Sequence, residues 1–303
     1  MDAGLRNHPR VIKDPWHDAA TLNRARSLLA DGETALLVGS GLTMVDVAMS
    51  LDRPGVSLLA VSRAGLLPQA HLNVPSPAVP TPHVEPTADL STLRRAVLAH
   101  ISRTRRATGD WRPGIDSLRP ITAQLWRELP TEQRHAFVAE YARLWDVHRH
   151  RTSPATDAWL RAAVTSGRLK IRRAAISSLT SQRQERGQPT PFNVRLSDGT
   201  ELGVGLVVNC TAPLLDFTRA ADPLLADLLR SGTARPGPLD TGLDTSPDGR
   251  IMPNRAGRPA PACFTLGAPR KGSLWESTAI PEIGAQAGQV ADAIVAESRS
   301  PGA

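Results

Sequence analysis

The pattern of apolar positions in the first part of the chain predicts a strand, a helix and a second strand. Residues 34–38 form a short apolar run bounded by glycine, which is typical of a buried parallel strand. A helical segment, Leu42–Leu51, follows at once, and a second apolar run, Val56–Val61, comes after a turn that contains proline and glycine. This order predicts a βαβ unit. A short helix over about Ala19–Leu29 is predicted before it.

Helical periodicity dominates the middle of the chain. Five prolines make residues 73–88 a stiff, extended connector. Leu93, Val97 and Ile101 then recur every four residues at the start of a helical region that runs from about 90 to 166. Within this region we predict further helices at about 131–149 and about 154–166.

Short strands follow the helical region. We predict them over Leu169–Arg172, Phe192–Leu196 and Leu202–Asn209, with the glutamine and arginine residues of 182–187 at a hairpin tip. A helix over about Pro281–Ala296 is predicted to end the chain.

Composition excludes several classes of protein. The 303 residues contain no run of about 18 uncharged apolar residues, so no membrane-spanning helix is expected. The N-terminus lacks the architecture of a signal peptide. Cys210 and Cys263 have neither metal nor redox spacing, so we interpret them as small buried residues of a cytoplasmic protein.

The net charge of +7 does not by itself indicate a nucleic-acid partner. The 29 acidic residues are interspersed among 36 basic ones, and there is no lysine-rich tail. An anionic cofactor explains local basic residues more simply, so we predict no binding to nucleic acid.

The strongest local motif is the turn between the first strand and its helix, Val38-Gly39-Ser40-Gly41-Leu42-Thr43. Gly39 permits a tight turn, and Gly41 lets a diphosphate approach the backbone. The helix that begins near Leu42 directs free N–H groups at the anion, and Thr43 adds a hydroxyl donor. The third glycine position of such motifs is occupied by Met44, which departs from the pattern. The candidate cofactor contacts are Gly39, Ser40, Gly41, Leu42 and Thr43.

The end of the second strand indicates which dinucleotide binds. A site for NAD would have Asp or Glu there, whereas this chain has Ser62 and Arg63, which suit a 2′-phosphate. We therefore predict NADP(H). The alternative is an ordinary glycine turn with Arg63 in solvent. His71 follows this loop and is either a further phosphate contact or a plain loop residue.

Four stretches carry a resemblance to a known family. They are Gly39–Asp46 with Ser62–Pro68 and His71; Trp145–Arg151; Val207–Pro213; and Leu266–Gly267 with Gly272–Ile283, Gln286 and Ala287. In order and spacing they resemble the bacterial FAD/NAD(P)-binding proteins that include the urate hydroxylase and amino-acid N-monooxygenase flavoproteins.

The resemblance implies an α/β fold with a Rossmann-like NADP-binding domain, interrupted by the helical insert at about 90–166, and the C-terminal part of a second, FAD-binding domain. Residues 1–31 would enter from the FAD side, 32–212 would bind NAD(P), and 213–303 would return to the FAD domain. The family opens with a second glycine fingerprint for FAD, and residues 1–31 supply none. Two further departures are Ala212, where the family has glycine, and Gly284, where it has arginine.

The resemblance also implies cofactor contacts in the second half of the chain. These are Thr211, Gly267, Trp275, Glu276 and Glu282, of which Trp275 would stack near the flavin and the two glutamates would hydrogen-bond flavin or substrate. The alternative for this segment is that Trp275 packs in the core and Glu282 only opens a helix. No side chain stands out as a catalytic residue.

The run His148–Arg151 predicts no metal site, because histidines two positions apart lie on different helix faces and no carboxylate pair supports them. It fits an acidic substrate, an inter-domain salt bridge or charge compensation at a helix end. No nucleophile elbow supports hydrolase chemistry.

As implied by the resemblance, NADPH would reduce FAD, and the reduced flavin would react with oxygen to hydroxylate a small-molecule substrate containing nitrogen or a ring. The alternative is a non-catalytic NADP(H)-binding fragment, or a subunit that docks onto a separate FAD-binding partner chain.

Overall fold

The computed structural model describes residues 8–18, 20–85, 87–181, 192–211, 216–217, 222–254 and 262–299. Its strands are β1 (Val11–Ile12), β2 (Thr34–Val38), β3 (Ser57–Ser62), β4 (Leu169–Arg173), β5 (Ile176–Ser181), β6 (Phe192–Leu196), β7 (Glu201–Val204) and β8 (Leu206–Asn209). Its helices are α1 (Thr21–Leu28), α2 (Leu42–Leu51), α3 (Leu90–Thr108), α4 (Arg112–Asp116), α5 (Arg119–Glu128), α6 (Thr131–Glu140), α7 (Ala142–Arg149), α8 (Pro154–Thr165), α9 (Pro223–Arg230) and α10 (Ile280–Ser298).

The chain forms two compact units. One contains residues 1–75 and 142–212, and the other contains residues 76–141 and 213–303. The domain boundaries implied by the resemblance, after residues 31 and 212, stay a prediction.

The first unit is built on a five-stranded parallel sheet with the order β1-β8-β2-β3-β4. The apolar run of β2 lies in its middle, where Ala35, Leu36 and Leu37 have no exposed surface. Burial on both sides explains why β2 is continuously apolar rather than alternating. The sheet confirms the predicted α/β, Rossmann-like fold class.

Each face of the parallel sheet has its own core. On one face Leu37 packs with Met44 of α2 and Leu160 of α8. On the other face Leu36 packs with Phe192 and other residues of β6, which belongs to a small antiparallel sheet of order β5-β6-β7. Successive side chains of β2 point to opposite faces of the sheet, so its apolar residues pack alternately into these two cores.

The predicted strand Leu202–Asn209 is wrong as a single element. The structure divides it at Gly205 into β7 and β8, which belong to different sheets. A Cβ atom at Gly205 would lie 2.5 Å from the side chain of Glu33, which is only 5% exposed. Glu33 is held there by Arg10, whose Nη1 donates to Glu33 Oε1 at 3.0 Å and to the Gly205 carbonyl at 3.0 Å. A partly buried ion pair, whose carboxylate is buried, thus needs the space that glycine leaves.

Other differences from the predicted elements are local. The helix expected at about 131–149 is two helices, α6 and α7, which are separated at Tyr141. The predicted helix over about Ala19–Leu29 begins at Thr21, and the predicted hairpin tip at 182–187 lies outside the described residues. The strands β1 and β5 and the helix α9 were not predicted, and α4 and α5 were not predicted individually within the helical region at about 90–166.

The second unit has a helical core. Leu90, Leu93 and Leu125 are buried there together with Trp126, whose indole Nε1 donates to the carbonyl of Gly272 at 2.9 Å. A separate small cluster surrounds Ala234, Leu243 and Ile251. Among the helices that the structure describes, none is long and apolar enough to cross a membrane.

A buried histidine in α3 makes the stability of the second unit depend on pH. His100 Nε2 lies 2.8 Å from Ser117 Oγ. Burial, and secondarily the charge of Arg103, lower the pKa of His100, although its bond to Gly114 opposes this. Because the histidine of the unfolded chain binds a proton more readily, protonation favours unfolding. The stability that neutral His100 contributes is therefore complete above the ordinary pKa of about 6.5 and is lost as pH falls below it.

We therefore expect the melting temperature to fall more steeply between pH 7.5 and 5.5 in the natural chain than in a His100→Gln variant, as followed by circular dichroism. His83→Gln is the matched control, because His83 is exposed and pairs only locally with Glu85. A His100→Gln profile parallel to that of the natural chain would contradict this prediction.

Candidate nucleotide-binding site

The turn after β2 is fixed by the strands on both sides of it. The N–H of Gly39 donates to the Val61 carbonyl at 2.8 Å, and the N–H of Cys210 donates to the Val38 carbonyl at 2.9 Å. Gly39 has φ +117°, and a Cβ atom there would lie 2.7 Å from the carbonyl oxygen of Cys210. Glycine at position 39 is therefore required by the fold itself.

Gly41 stands in a different environment. It precedes α2 with φ −86° and ψ −166°, an extended conformation that any residue adopts. Apart from its own chain neighbours, the only described atom within 4 Å of a Cβ built on Gly41 is Nη1 of Arg143, at 3.8 Å. Neither the conformation nor the packing of the described residues requires glycine at this position.

The N-terminus of α2 adjoins this open space. Gly41 provides no side-chain cap, and the first turn contains no acidic residue. Leu42 is exposed, and the hydroxyl of Thr43 makes no hydrogen bond within the described part of the chain. The first N–H groups of α2 and the Thr43 hydroxyl are thus donors that an anion would satisfy.

Two of the predicted cofactor contacts, Ser40 and Ser62, hydrogen-bond to each other. Their Oγ atoms are 2.7 Å apart, and Ser40 Oγ also donates to the Leu66 carbonyl at 2.6 Å. Ser62 Oγ in turn accepts from the N–H of Gly65 at 3.0 Å. The two hydroxyls join the glycine turn to the loop after β3. Their role as cofactor contacts stays a prediction.

Arg63 lies beside the glycine turn because β2 and β3 are adjacent and parallel, with Val38 opposite Val61. Its side chain is exposed and makes no hydrogen bond or ion pair with the residues that the structure describes. The carboxyl ends of parallel strands form the edge where α/β proteins bind ligands. The structure thus brings Arg63 to the same edge as Gly39, Gly41 and Thr43.

Two further arginines lie at this edge, and the sequence did not indicate either as a candidate contact. Arg173 ends β4 opposite Ser62, is exposed, and its side chain has no hydrogen-bond partner among the described residues. Its position at a strand's carboxyl end was a usable signal. Arg143 of α7 donates from Nη2 to the carbonyls of Ser40, at 3.0 Å, and Leu66, at 2.9 Å. No local pattern indicates these contacts, because Arg143 is 103 residues from Ser40.

The candidates His71 and Thr211 belong to neighbouring loops of the same unit. His71 is exposed, and its N–H donates to the Thr152 carbonyl at 2.9 Å. Thr211 Oγ1 donates to Asn209 Oδ1 at 2.7 Å, directly after β8. The departure noted at Ala212 lies outside the described residues.

The remaining candidates belong to the second unit, where Trp275 and Glu282 have partners. The ring centroid of Trp275 lies 5.0 Å from that of Trp126 and 5.0 Å from that of Phe137. Both carboxylate oxygens of Glu282 accept hydrogen bonds from Arg119. These contacts agree with the alternative of a packed core residue and a helix-opening glutamate. Contacts of Trp275 and Glu282 with a cofactor stay a prediction.

Gly267 and Glu276 flank the same segment. The N–H of Gly267, a residue with φ +75°, donates to Gln286 Oε1 at 2.9 Å. Gln286 is buried, and its Nε2 donates to the Ser277 carbonyl at 3.0 Å. Glu276 precedes Ser277 and is half-buried. One buried amide of α10 therefore fixes two backbone positions of this segment.

No protein-family model and no curated protein matches the sequence. One similar solved structure is the lysine monooxygenase NbtG from Nocardia farcinica, which is described by the conformation of its NADPH domain. The two chains are 16% identical with a TM-score of 0.41, and the match covers 95% of this chain and 56% of that one. This chain thus spans little more than half the length of that protein. A likeness this weak establishes neither a shared fold nor a shared activity.

Proposed function

We propose that the first unit binds NADP(H) where β2, β3 and β8 end. The contrast between two glycines carries the proposal. Gly39 is required by its backbone conformation and by Cys210, whereas Gly41 has no such requirement from the described residues. A diphosphate resting on the backbone explains glycine at position 41, because a side chain there would occupy the space that the phosphates need.

Charge supports the phosphorylated coenzyme. No carboxylate follows β3, where a site for NAD would hold the ribose hydroxyls. Arg63 instead follows β3, Arg173 ends the adjacent strand β4, and both are exposed. A guanidinium forms paired, charge-assisted hydrogen bonds with phosphate, so a 2′-phosphate fits this end of the sheet.

For the whole protein we propose a flavin-dependent oxidoreductase of the monooxygenase kind that uses NADPH and acts on a small-molecule substrate. The resemblance in the segment Gly272–Ile283 supports it. In that segment Ser273 Oγ and Ser277 Oγ are buried and have no hydrogen-bond partner among the described residues, which fits a polar group such as a flavin. When bound, FAD would accept a hydride from NADPH and pass electrons to oxygen.

The second candidate is an NADP(H)-binding subunit that needs a separate FAD-binding chain. The observation that favours it is the exposure of α10. Its only buried residue is Gln286, whereas Ile280 is 86% exposed, Ile294 48% and Val295 44%. Exposed apolar side chains on one helix are typical of a surface that another chain or segment covers.

Titration of the purified chain with NADPH tests the proposal. We expect saturable binding in calorimetry, with NADH at least tenfold weaker because it lacks the 2′-phosphate. Absence of a saturable signal with NADPH would refute the nucleotide site. A purified chain that is yellow with bound flavin and oxidises NADPH would favour the flavin-dependent oxidoreductase. A colourless chain that binds NADPH but takes up no added FAD would favour the second.

A further inference from the structure

Arg143 brings a guanidinium from α7 to the glycine turn. Its Nη2 donates to the carbonyls of Ser40 and Leu66, so one nitrogen links the turn after β2 with the loop after β3. The same nitrogen lies 3.4 Å from Ser40 Oγ. These bonds fix the plane of the guanidinium and therefore the direction of its other donors.

The second terminal nitrogen faces the open side of the turn. Nη1 of Arg143 lies 3.8 Å from the position that a Cβ atom on Gly41 would occupy. Neither Nη1 nor Nε makes a hydrogen bond to the described residues, and the charge of Asp146 acts on this guanidinium only electrostatically. Burial lowers the pKa of Arg143, but an arginine remains charged in proteins. This partly buried cation therefore has two nitrogens, Nη1 and Nε, whose N–H groups can donate to a ligand beside the N-terminus of α2.

We propose that Arg143 contacts the dinucleotide and donates from Nη1 to its diphosphate. This inference rests on the proposed function, because it needs a dinucleotide at Gly41. The diphosphate is common to both nicotinamide coenzymes, whereas the 2′-phosphate is not. Arg143 therefore contributes affinity for both coenzymes, whereas Arg63 distinguishes NADPH from NADH.

The experiment compares three ligands on the full chain and on Arg143→Met. The ligands are NADPH, NADH and adenosine 2′-monophosphate, which lacks the diphosphate. Loss of one charge-assisted hydrogen bond is expected to weaken NADPH and NADH by the same factor, about tenfold. Binding of adenosine 2′-monophosphate, followed by NMR titration, is expected to change less than twofold.

A purely structural role for Arg143 predicts a different pattern. If Arg143 only linked the two loops, Arg143→Met would weaken all three ligands together, and that result would overturn the inference. Unchanged binding of NADPH and NADH would overturn it as well. If the natural chain does not bind NADPH, the proposed function fails and the inference fails with it.

Arg143→Lys guards against a variant that does not fold. A lysine has one nitrogen, which can replace Nη2 at the two carbonyls but leaves nothing in place of Nη1. We expect this variant to melt within a few degrees of the natural chain and still to lose most of the affinity for NADPH and NADH. Full affinity in Arg143→Lys would contradict the diphosphate contact.

Discussion

Replacing Gly39 with alanine is expected to lower the free energy of unfolding by about 3 kcal/mol, because backbone strain and overpacking add at this position. The residue has φ +117°, which L-amino acids with a side chain rarely adopt, and its new Cβ would lie 2.7 Å from the Cys210 carbonyl oxygen. That oxygen belongs to the chain at the end of β8, so it cannot move away without disturbing the parallel sheet. Urea unfolding followed by circular dichroism measures the loss.

Gly41→Ala is the matched control, two residues further along the same turn. Alanine adopts the conformation of Gly41 freely and meets only Arg143 Nη1, at 3.8 Å. The stability cost is therefore expected to stay below about 1 kcal/mol, the cost of a poorer helix cap. Binding of NADPH, in contrast, should weaken at least tenfold, because the added methyl group keeps the diphosphate off the backbone. Undiminished affinity in Gly41→Ala would refute our placement of the ligand.

The elements that carry this turn could be predicted because their signals are local. Thr34–Val38 and Leu42–Leu51 have in the structure the bounds that their apolar patterns predicted. The break at Gly205 could not be predicted in the same way. It depends on Glu33, which lies far away in sequence and is held by Arg10. An apolar run indicates a strand but not the buried carboxylate that interrupts it.

At the candidate site, too, side-chain contacts between residues distant in sequence could not be predicted. The sequence correctly indicated that residues after β2 and β3 meet, because parallel strands end at one edge. It did not indicate that Ser62 would hydrogen-bond to Ser40, or that Glu282 would pair with Arg119. Nor did it indicate Arg143, whose contacts depend on how α7 packs. Residue type and spacing therefore indicated which candidate residues lie at one edge of the sheet, whereas their hydrogen-bond partners could be identified only from the fold.

Arg63→Ala is expected to abolish the preference for the phosphorylated coenzyme. Hydrogen bonds to a charged group contribute about 1.5–3 kcal/mol, so the dissociation constant of NADPH should rise by about 10- to 100-fold. That of NADH should change less than twofold, since it carries no 2′-phosphate. Because the side chain is exposed and makes no bond within the described part of the chain, stability should be unaffected. Calorimetric titration with both coenzymes measures the ratio.

Arg26→Ala provides the control for a general loss of positive charge. Arg26 is an exposed arginine in the last turn of α1, in the same unit, so its removal changes the net charge by the same amount. Both coenzymes should then bind almost as before, and any small loss should disappear at higher salt. If Arg63→Ala leaves the ratio unchanged, Arg173 becomes the residue to replace next, since it ends the adjacent strand opposite Ser62. A preference for NADPH that survives the loss of both arginines would mean that the ribose phosphate does not bind at the ends of β3 and β4.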